Sequence, residues 1–442
     1  MKEKMKTKRC AISTTYAAVA LVAVIIILGG IYLTYNNSQK TVTDDETDDM
    51  RDIKLGMPMG FTGPYAAIAE DSRDAMLLAI EEINYAGGIL GHKIVPIIED
   101  EENCEAGIVS SVFTKLITRE KVDFIMTHFG NPSCSEYDIV QEYEVPYISG
   151  GFVQTAESVF NENPGEYSYV YLGQPSYSLY QTRFPDYIDE LIDEEKWEPT
   201  NNKFCVIKRQ NEYSLYIANG MRDYLLGMGW ELTFDELFPE AIVEDWSSIL
   251  SKIRADPPAI VVNTMWTVSS DALFLEQFLA DPTPSLLYIQ STPTFPDWQE
   301  IVGESADGVL HCYGIKKVVS SDPYVIKFKE KYGRSPSPYG LVCYDYVYLM
   351  KQAMELAGDP FDSEAVADAI SRINMPGIMG IYEFDPDSPD GKLLKGGGAK
   401  IPFPVFQMWD TTNYMLYPDE VNEREFVIPP WYEAGLEKYG PD

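Results

Sequence analysis

Histidine is scarce in this sequence, with three copies in 442 residues, and lysine plus arginine number 34 against 69 aspartates and glutamates. The shortage of histidine thins the ground for acid–base and metal chemistry. His92 falls in a turn, while His128 and His311 end expected strands. No H-E-x-x-H pair, no G-x-S-x-G elbow and no Cys-x-x-Cys pair occurs, so hydrolase, zinc and redox readings find no motif. An enzyme is therefore not expected, and His128 is the residue that would carry one. The shortage of positive charge excludes a second class. A net charge of −35 repels phosphate backbones and removes nucleic acid as a partner. No nucleotide fingerprint is present either. In Leu55-Gly-Met-Pro-Met-Gly-Phe-Thr-Gly-Pro-Tyr65 the spacing of Gly56, Gly60 and Gly63 matches neither G-x-G-x-x-G nor a P-loop. Such a turn from strand to helix still lets backbone N–H groups approach a small ligand.

Cysteine is also sparse. Cys10 precedes the long apolar segment described below, which leaves Cys104, Cys134, Cys205, Cys312 and Cys343, an odd number. Cys104 and Cys134 are the candidate disulfide, and Cys205, inside the apolar run Phe204–Ile207, is the candidate buried thiol.

What the sequence does have begins at its N-terminus. Lys2, Lys4, Lys6, Lys8 and Arg9 precede an apolar segment from about Ala17 to Leu33, followed by the acidic stretch 36–51. The apolar length suits a transmembrane helix, and the charge asymmetry puts the bulk of the chain outside. We read residues 1–35 as a basic tail and uncleaved signal anchor, and 36–51 as an acidic flexible linker. A cleaved signal peptide is the competing reading. The expected location is the cell membrane, single-pass, with the main body on the extracytoplasmic side.

From residue 53 onward, short β-rich runs alternate with longer amphipathic ones, the pattern of α/β sheets flanked by helices. Strands are expected at 53–60, 93–99, 122–128, 145–149, 203–208, 230–238, 259–263, 286–290 and 308–313. The helix after Pro64 carries Ala75, Leu78, Ala79 and Ile83 on one stripe and stops at Gly87-Gly88, with Arg73 and Asp74 read as a solvated face. The strands are too many for one sheet, so two lobes are expected, dividing near Tyr171–Tyr177. In the tail, 381–384 and 404–409 read as a strand and its returning partner around the turn-rich loop Asp385–Gly391.

Several stretches, taken in order, resemble the type I periplasmic binding proteins of branched-chain amino acid and amide ABC transporters. They are Gly63-Pro64, Asn84-Tyr-Ala-Gly-Gly-Ile-Leu-Gly-His-Lys-Ile94, Glu99-Asp100, Val145-Pro-Tyr-Ile-Ser149, Phe328 to Tyr339, and Tyr382-Glu-Phe-Asp385. The resemblance spans about residues 53–410. It implies two lobes, each an open, mainly parallel sheet with helices on both faces, joined by three crossovers near Leu172-Gly173, Tyr313-Gly314 and Gly377–Ile381. Lobe 1 would then be 52–172 plus 314–378, and lobe 2 would be 173–313 plus 379–442.

The resemblance also implies where a solute would sit: between the lobes, at the carboxyl ends of the strands. Residue by residue, it points to Tyr65, Gly130, Asn131, Ser133, Gly150, Gly151 and Phe152 on lobe 1, with Tyr339. On lobe 2 it points to Tyr213, Trp266, Ser291 and Thr292. The position near Ser291, which in amino-acid binders carries the acid that holds the ammonium, has no carboxylate here. An unpaired buried ammonium costs several kcal/mol, so a neutral amide, a urea-like compound or an organic acid competes with an amino acid. The implied partners are the permease and ATPase subunits of an importer, with no cofactor and a monomeric receptor. A sensory ectodomain acting through a partner is the alternative.

Overall fold

The computed structural model describes residues 51–62, 66–151, 153–397 and 399–441. The expected membrane segment and linker lie outside them, apart from Arg51. Among the described residues, no helix is long and apolar enough to cross a membrane.

The strands, in chain order, are β1 Ile53–Met59, β2 Ile94–Asp100, β3 Phe124–Met126, β4 Tyr147–Ser149, β5 Val170–Pro175, β6 Lys203–Arg209, β7 Glu231–Phe238, β8 Ile260–Asn263, β9 Leu286–Ile289, β10 Leu310–Cys312, β11 Asn374–Pro376, β12 Ile381–Glu383, β13 Leu393–Leu394, β14 Val405–Trp409 and β15 Thr412–Tyr417. They form a six-stranded sheet in the order β13-β5-β4-β3-β1-β2, a seven-stranded sheet β15-β14-β10-β9-β8-β6-β7, and the small hairpin β11-β12. Pairings within the first sheet are parallel. In the second, β6 to β10 are parallel and β14 and β15 form an antiparallel edge.

Each sheet is covered on both faces, which explains why its central strands read as unbroken apolar runs rather than alternating ones. In β3, Phe124 and Met126 point into one apolar cluster while Ile125 points into another. In β6, Phe204 and Val206 enter one cluster and Cys205 and Ile207 the opposite one. Pro58, which has no N–H to give a ladder, is accommodated in β1 because pairing with β3 involves only Leu55 and Gly56.

Lobe 1 is closed by a return of the chain. Helix Ala66–Tyr85 packs along helix Pro338–Ala357, two segments far apart in sequence. Asp71 clamps them: its carboxylate accepts hydrogen bonds from Ser337 N at 2.7 Å and Ser337 Oγ at 2.6 Å, and pairs with Arg334. Asp74 is buried and pairs with Arg334 Nη2 at 2.7 Å, so it belongs to this clamp and not to a solvated face.

Three further expectations are corrected. The lobes were expected to divide near Tyr171–Tyr177, but the chain as far as Pro175 is still β5 of the first sheet. The third crossover comes later than Gly377–Ile381, because β13 pairs with β5 and Tyr382, Phe384 and Ile401 lie in the lobe-1 core, whereas Phe403 lies in the lobe-2 core. Residues 379–401 therefore belong to lobe 1, and the strand at 405–409 pairs with β15 and β10 instead of returning onto 381–384. Finally, Cys104 and Cys134 are buried free thiols, as are Cys205, Cys312 and Cys343. The Cys104 Sγ donates to the Glu101 carboxyl at 3.7 Å, and burial keeps it protonated. The loop 385–391 is a turn, as expected, with Asp390 accepting from Gly165 N at 2.8 Å.

Candidate functional site

The carboxyl ends of the two parallel sheets converge on a ring-rich cleft. On lobe 2, helix Glu212–Gly227 is capped by Asn211, whose side chain accepts from Ser214 N at 2.8 Å, and this places Tyr213 at the strand ends. The Tyr213 ring lies 5.0 Å from Trp266, 5.8 Å from Tyr180 and 6.4 Å from Tyr177. Its hydroxyl lies 3.1 Å from Ser291 Oγ and accepts from Gln290 Nε2 at 3.1 Å. Gln290 Nε2 also donates to Ser291 Oγ at 2.6 Å, and both groups donate to the Cys312 carbonyl at 3.3 Å.

From the other side, Tyr339 begins helix Pro338–Ala357, and its ring lies 5.5 Å from Phe129 at the end of β3. Tyr339 and Tyr313 share a hydrogen bond, and both sit within electrostatic reach of Tyr213. Tyr177 faces Tyr339, Tyr213 and Glu157. Burial pushes the phenols of Tyr213, Tyr313 and Tyr339 above their ordinary range, so all remain neutral hydrogen-bonding groups. Of the residues named from sequence, Tyr213, Trp266, Ser291 and Tyr339 are thus brought together. Trp266 keeps 42% of its surface exposed and is held at φ 52°, a left-handed backbone seldom given to a bulky residue.

That conformation is fixed from behind by Asp271, which is fully buried. It accepts from Asn263 Nδ2 at 3.1 Å, Thr267 N at 3.0 Å and Thr292 Oγ1 at 2.6 Å. Thr292 is therefore a buried supporting group rather than a cleft wall. Burial pushes the Asp271 carboxyl up to about 7 against those hydrogen bonds.

The lobe-1 loops are built by close backbone approach. A Cβ on Gly150 would lie 2.4 Å from the His128 carbonyl oxygen, and one on Gly151 would lie 2.3 Å from that of Phe129. Asn131 and Ser133 bond to each other: Asn131 Oδ1 accepts from Ser133 N at 2.9 Å and Ser133 Oγ at 3.1 Å. Asn131 Nδ2 donates to Ser135 Oγ at 2.7 Å, so its polar groups serve the turn, and Ser133 is exposed. Tyr65 and Phe152 lie outside the described residues. His128 is buried with both ring nitrogens unpartnered, and burial lowers its pKa to about 4, leaving a neutral imidazole.

Phe129, Tyr177, Tyr180, Gln290 and Tyr313 were not singled out from sequence; Gln290 was readable as the residue beside Ser291 at the end of β9. Next to the rings is a cavity of about 450 Å³ between Gln154 and Ser158 of lobe 1 and Gln181, Glu212, Tyr216 and Asn219 of lobe 2. Beside it Tyr216 Oη donates across the lobes to Glu157 Oε2 at 3.4 Å. Aromatic walls, neutral donors and acceptors beside the carboxyl groups of Glu157 and Glu212, and a space shared by two lobes suit reversible enclosure of a small solute.

Comparison with known proteins agrees with this geometry. A family model described as "Periplasmic binding protein" matches residues 52–395. The Leu/Ile/Val-binding protein homolog 7 of Brucella abortus is 25% identical over 405 residues, covering 86% of this chain and 94% of that protein. A putative branched-chain amino acid ABC transporter structure from Silicibacter pomeroyi superposes with a TM-score of 0.80 at 26% identity, over 86% of this chain and all of that one. A branched-chain amino acid transporter substrate-binding protein from Streptococcus pneumoniae, solved with isoleucine, shares the fold at a TM-score of 0.61 and 19% identity, over 86% of this chain and 100% of that one.

Proposed function

The chain belongs to the periplasmic binding protein family, whose members bind solutes without transforming them, and from that premise we propose that it is the receptor of an ABC importer. It captures one small organic solute between Tyr213 and Trp266 on one lobe and Tyr339 and Phe129 on the other. Closure about the crossovers shifts the population toward the bound form, which the permease and its ATPase then recognise. The receptor works as a monomer, tethered outside the cell membrane by the apolar segment 17–33.

The observation that carries the solute class is the lobe-2 wall. Tyr213 is backed by the neutral groups of Ser291 and Gln290, both buried and bonded to its hydroxyl, and Asp271, the buried acid behind them, has its oxygens committed to Asn263, Thr267 and Thr292. A solute without an ammonium group, such as an amide, a urea-like compound or an organic acid, fits this wall better than a zwitterion. A thermal-shift screen of residues 52–442, one compact unit, tests the reading against amino acids, amides, urea, organic acids and sugars. Amides or acids should raise the melting temperature more than leucine or isoleucine at equal concentration. A larger shift with the amino acids would overturn the solute class, and no shift with any compound would count against the receptor itself.

A further inference from the structure

Behind the lobe-1 loops lies a pair of carboxyl groups that the binding of a solute does not by itself require. Glu136, the first residue of helix Glu136–Glu142, is 1% exposed, and Glu101, just past β2, is fully buried. One oxygen of each, Oε2, has no hydrogen-bond partner. The other Glu136 oxygen begins a chain leading to the cleft. Oε1 accepts from Tyr147 Oη at 3.2 Å, Tyr147 Oη lies 3.0 Å from Thr127 Oγ1, and Thr127 Oγ1 accepts from Gly150 N at 3.3 Å. On its other side Glu136 lies beside Asn131, whose amides oppose the effect of burial on its carboxyl. Gly130 covers the same spot, since a Cβ there would lie 2.7 Å from Ser149 Oγ and 3.7 Å from both Thr127 Oγ1 and Tyr147 Oη. One buried carboxyl group thus touches the supports of both the Gly130–Asn131 loop and the Gly150–Gly151 loop.

We propose that Glu136, with Glu101 beside it, is a positioning residue of the solute cleft that sets both lobe-1 loops together and admits an anionic solute only while the pair retains a proton. The proposal rests on the receptor reading for its second half and not for its first. The ionisable groups facing the pair are Asp100, Cys104, Cys134, Tyr137 and Tyr147, none of them a cation. Burial, together with the neighbouring Glu136 charge, pushes Glu101 up to about 8, and burial pushes Glu136 up to about 7. The two protons come off in coupled steps that belong to the pair. A carboxylate settling on the loops above a doubly ionised pair meets like charge in a dry environment, so its binding draws a proton from solvent.

Two measurements test this on wild type, Glu136→Gln and Glu101→Gln. The first is amide hydrogen exchange, corrected for intrinsic rate, of segments 127–133 and 147–151 in solute-free protein from about pH 6 to about 9. Protection of both segments should follow one shared titration near pH 7 to 8 that Glu136→Gln abolishes and Glu101→Gln moves to lower pH. Segments that titrate separately, or profiles that superimpose for wild type and Glu136→Gln, would overturn the positioning role. The second measurement is benzoate affinity by calorimetry. Above about pH 8 it should fall about tenfold per pH unit in wild type and stay flat in Glu136→Gln. A flat wild-type profile removes the charge gate. If benzoate fails to bind at any pH, the gate is rejected for aromatic acids, while exchange still decides the role of Glu136.

Discussion

Replacing Gly150 by alanine tests how the lobe-1 side of the cleft is built. The added Cβ would lie 2.4 Å from the His128 carbonyl oxygen, 2.6 Å from His128 C and 2.6 Å from Thr127 O. A carbon normally stays roughly 3.3 Å or more from a carbonyl oxygen, so the ends of β3 and β4 must part by roughly 0.9 Å. All three obstructing atoms are backbone, and no side chain can swing aside. The cost should be that of forced overpacking, about 1–3 kcal/mol, with part of it in the weakened bond from Gly150 N to Thr127 Oγ1. Gly107 supplies the control. It is exposed in the first turn of helix Ala106–Lys115, and a Cβ there meets nothing within 4 Å. Gly107→Ala should stabilise by about 0.5–1 kcal/mol through helix propensity and a less free unfolded chain. Urea unfolding followed by circular dichroism compares the two directly. The close-approach account is wrong if Gly150→Ala unfolds at the wild-type midpoint, or if Gly107→Ala loses as much as Gly150→Ala does.

Two further outcomes follow from the same structure. Trp266→Ala should weaken binding of the best compound from the solute screen by more than tenfold, since a desolvated ring is worth ~1.5 kcal/mol or more; an unchanged titration would take Trp266 out of the cleft. Glu101→Gln should flatten the pH dependence of stability. Its folded pKa of about 8 is raised by burial and by the Glu136 charge, so the stability it lends is complete below about pH 4.5 and lost as pH rises through about 8. The full span is about 5 kcal/mol, and urea midpoints at about pH 5, 7 and 9 should decline less steeply in the variant than in wild type, the remaining decline belonging to Glu136. Equal declines would refute the assignment.

Most of the parallel strands were legible because burial on both faces leaves runs such as Phe204-Cys-Val-Ile207 with no polar interruption. The strand Val170-Tyr-Leu-Gly-Gln-Pro175 was not, since glycine, glutamine and proline at its carboxyl end read as a linker, and that end does lead into the first crossover. The third crossover failed for a different reason. Ile381–Glu383 was correctly read as extended, but which sheet it joins depends on partners far away in sequence, and the neighbouring β13 pairs with β5 more than two hundred residues earlier. Short helices such as Glu136–Glu142 and Ser363–Ile370 went unread because they span barely two turns.

In the cleft, large rings were the more informative residues and short polar ones the less. Tyr213 and Trp266, both named from the motif register, lie in ring contact at 5.0 Å, and Tyr339 lies 5.5 Å from Phe129. Asn131, Ser133 and Thr292 occupy polar positions of the same register, yet their side chains close bonds to a neighbouring turn or to a buried acid. Polar residues at strand ends therefore mark where the loop is braced, and the rings mark where it is open. Of the hydroxyls named from sequence, Ser291 is the one joined to the rings, through Tyr213. Asp271, buried behind the rings with its oxygens on Asn263, Thr267 and Thr292, is placed to set the geometry of the wall rather than to meet the solute. That is why the class of solute and the protonation of Glu136 are best read together: a neutral guest leaves the buried pair undisturbed, whereas an anionic one must carry a proton in with it.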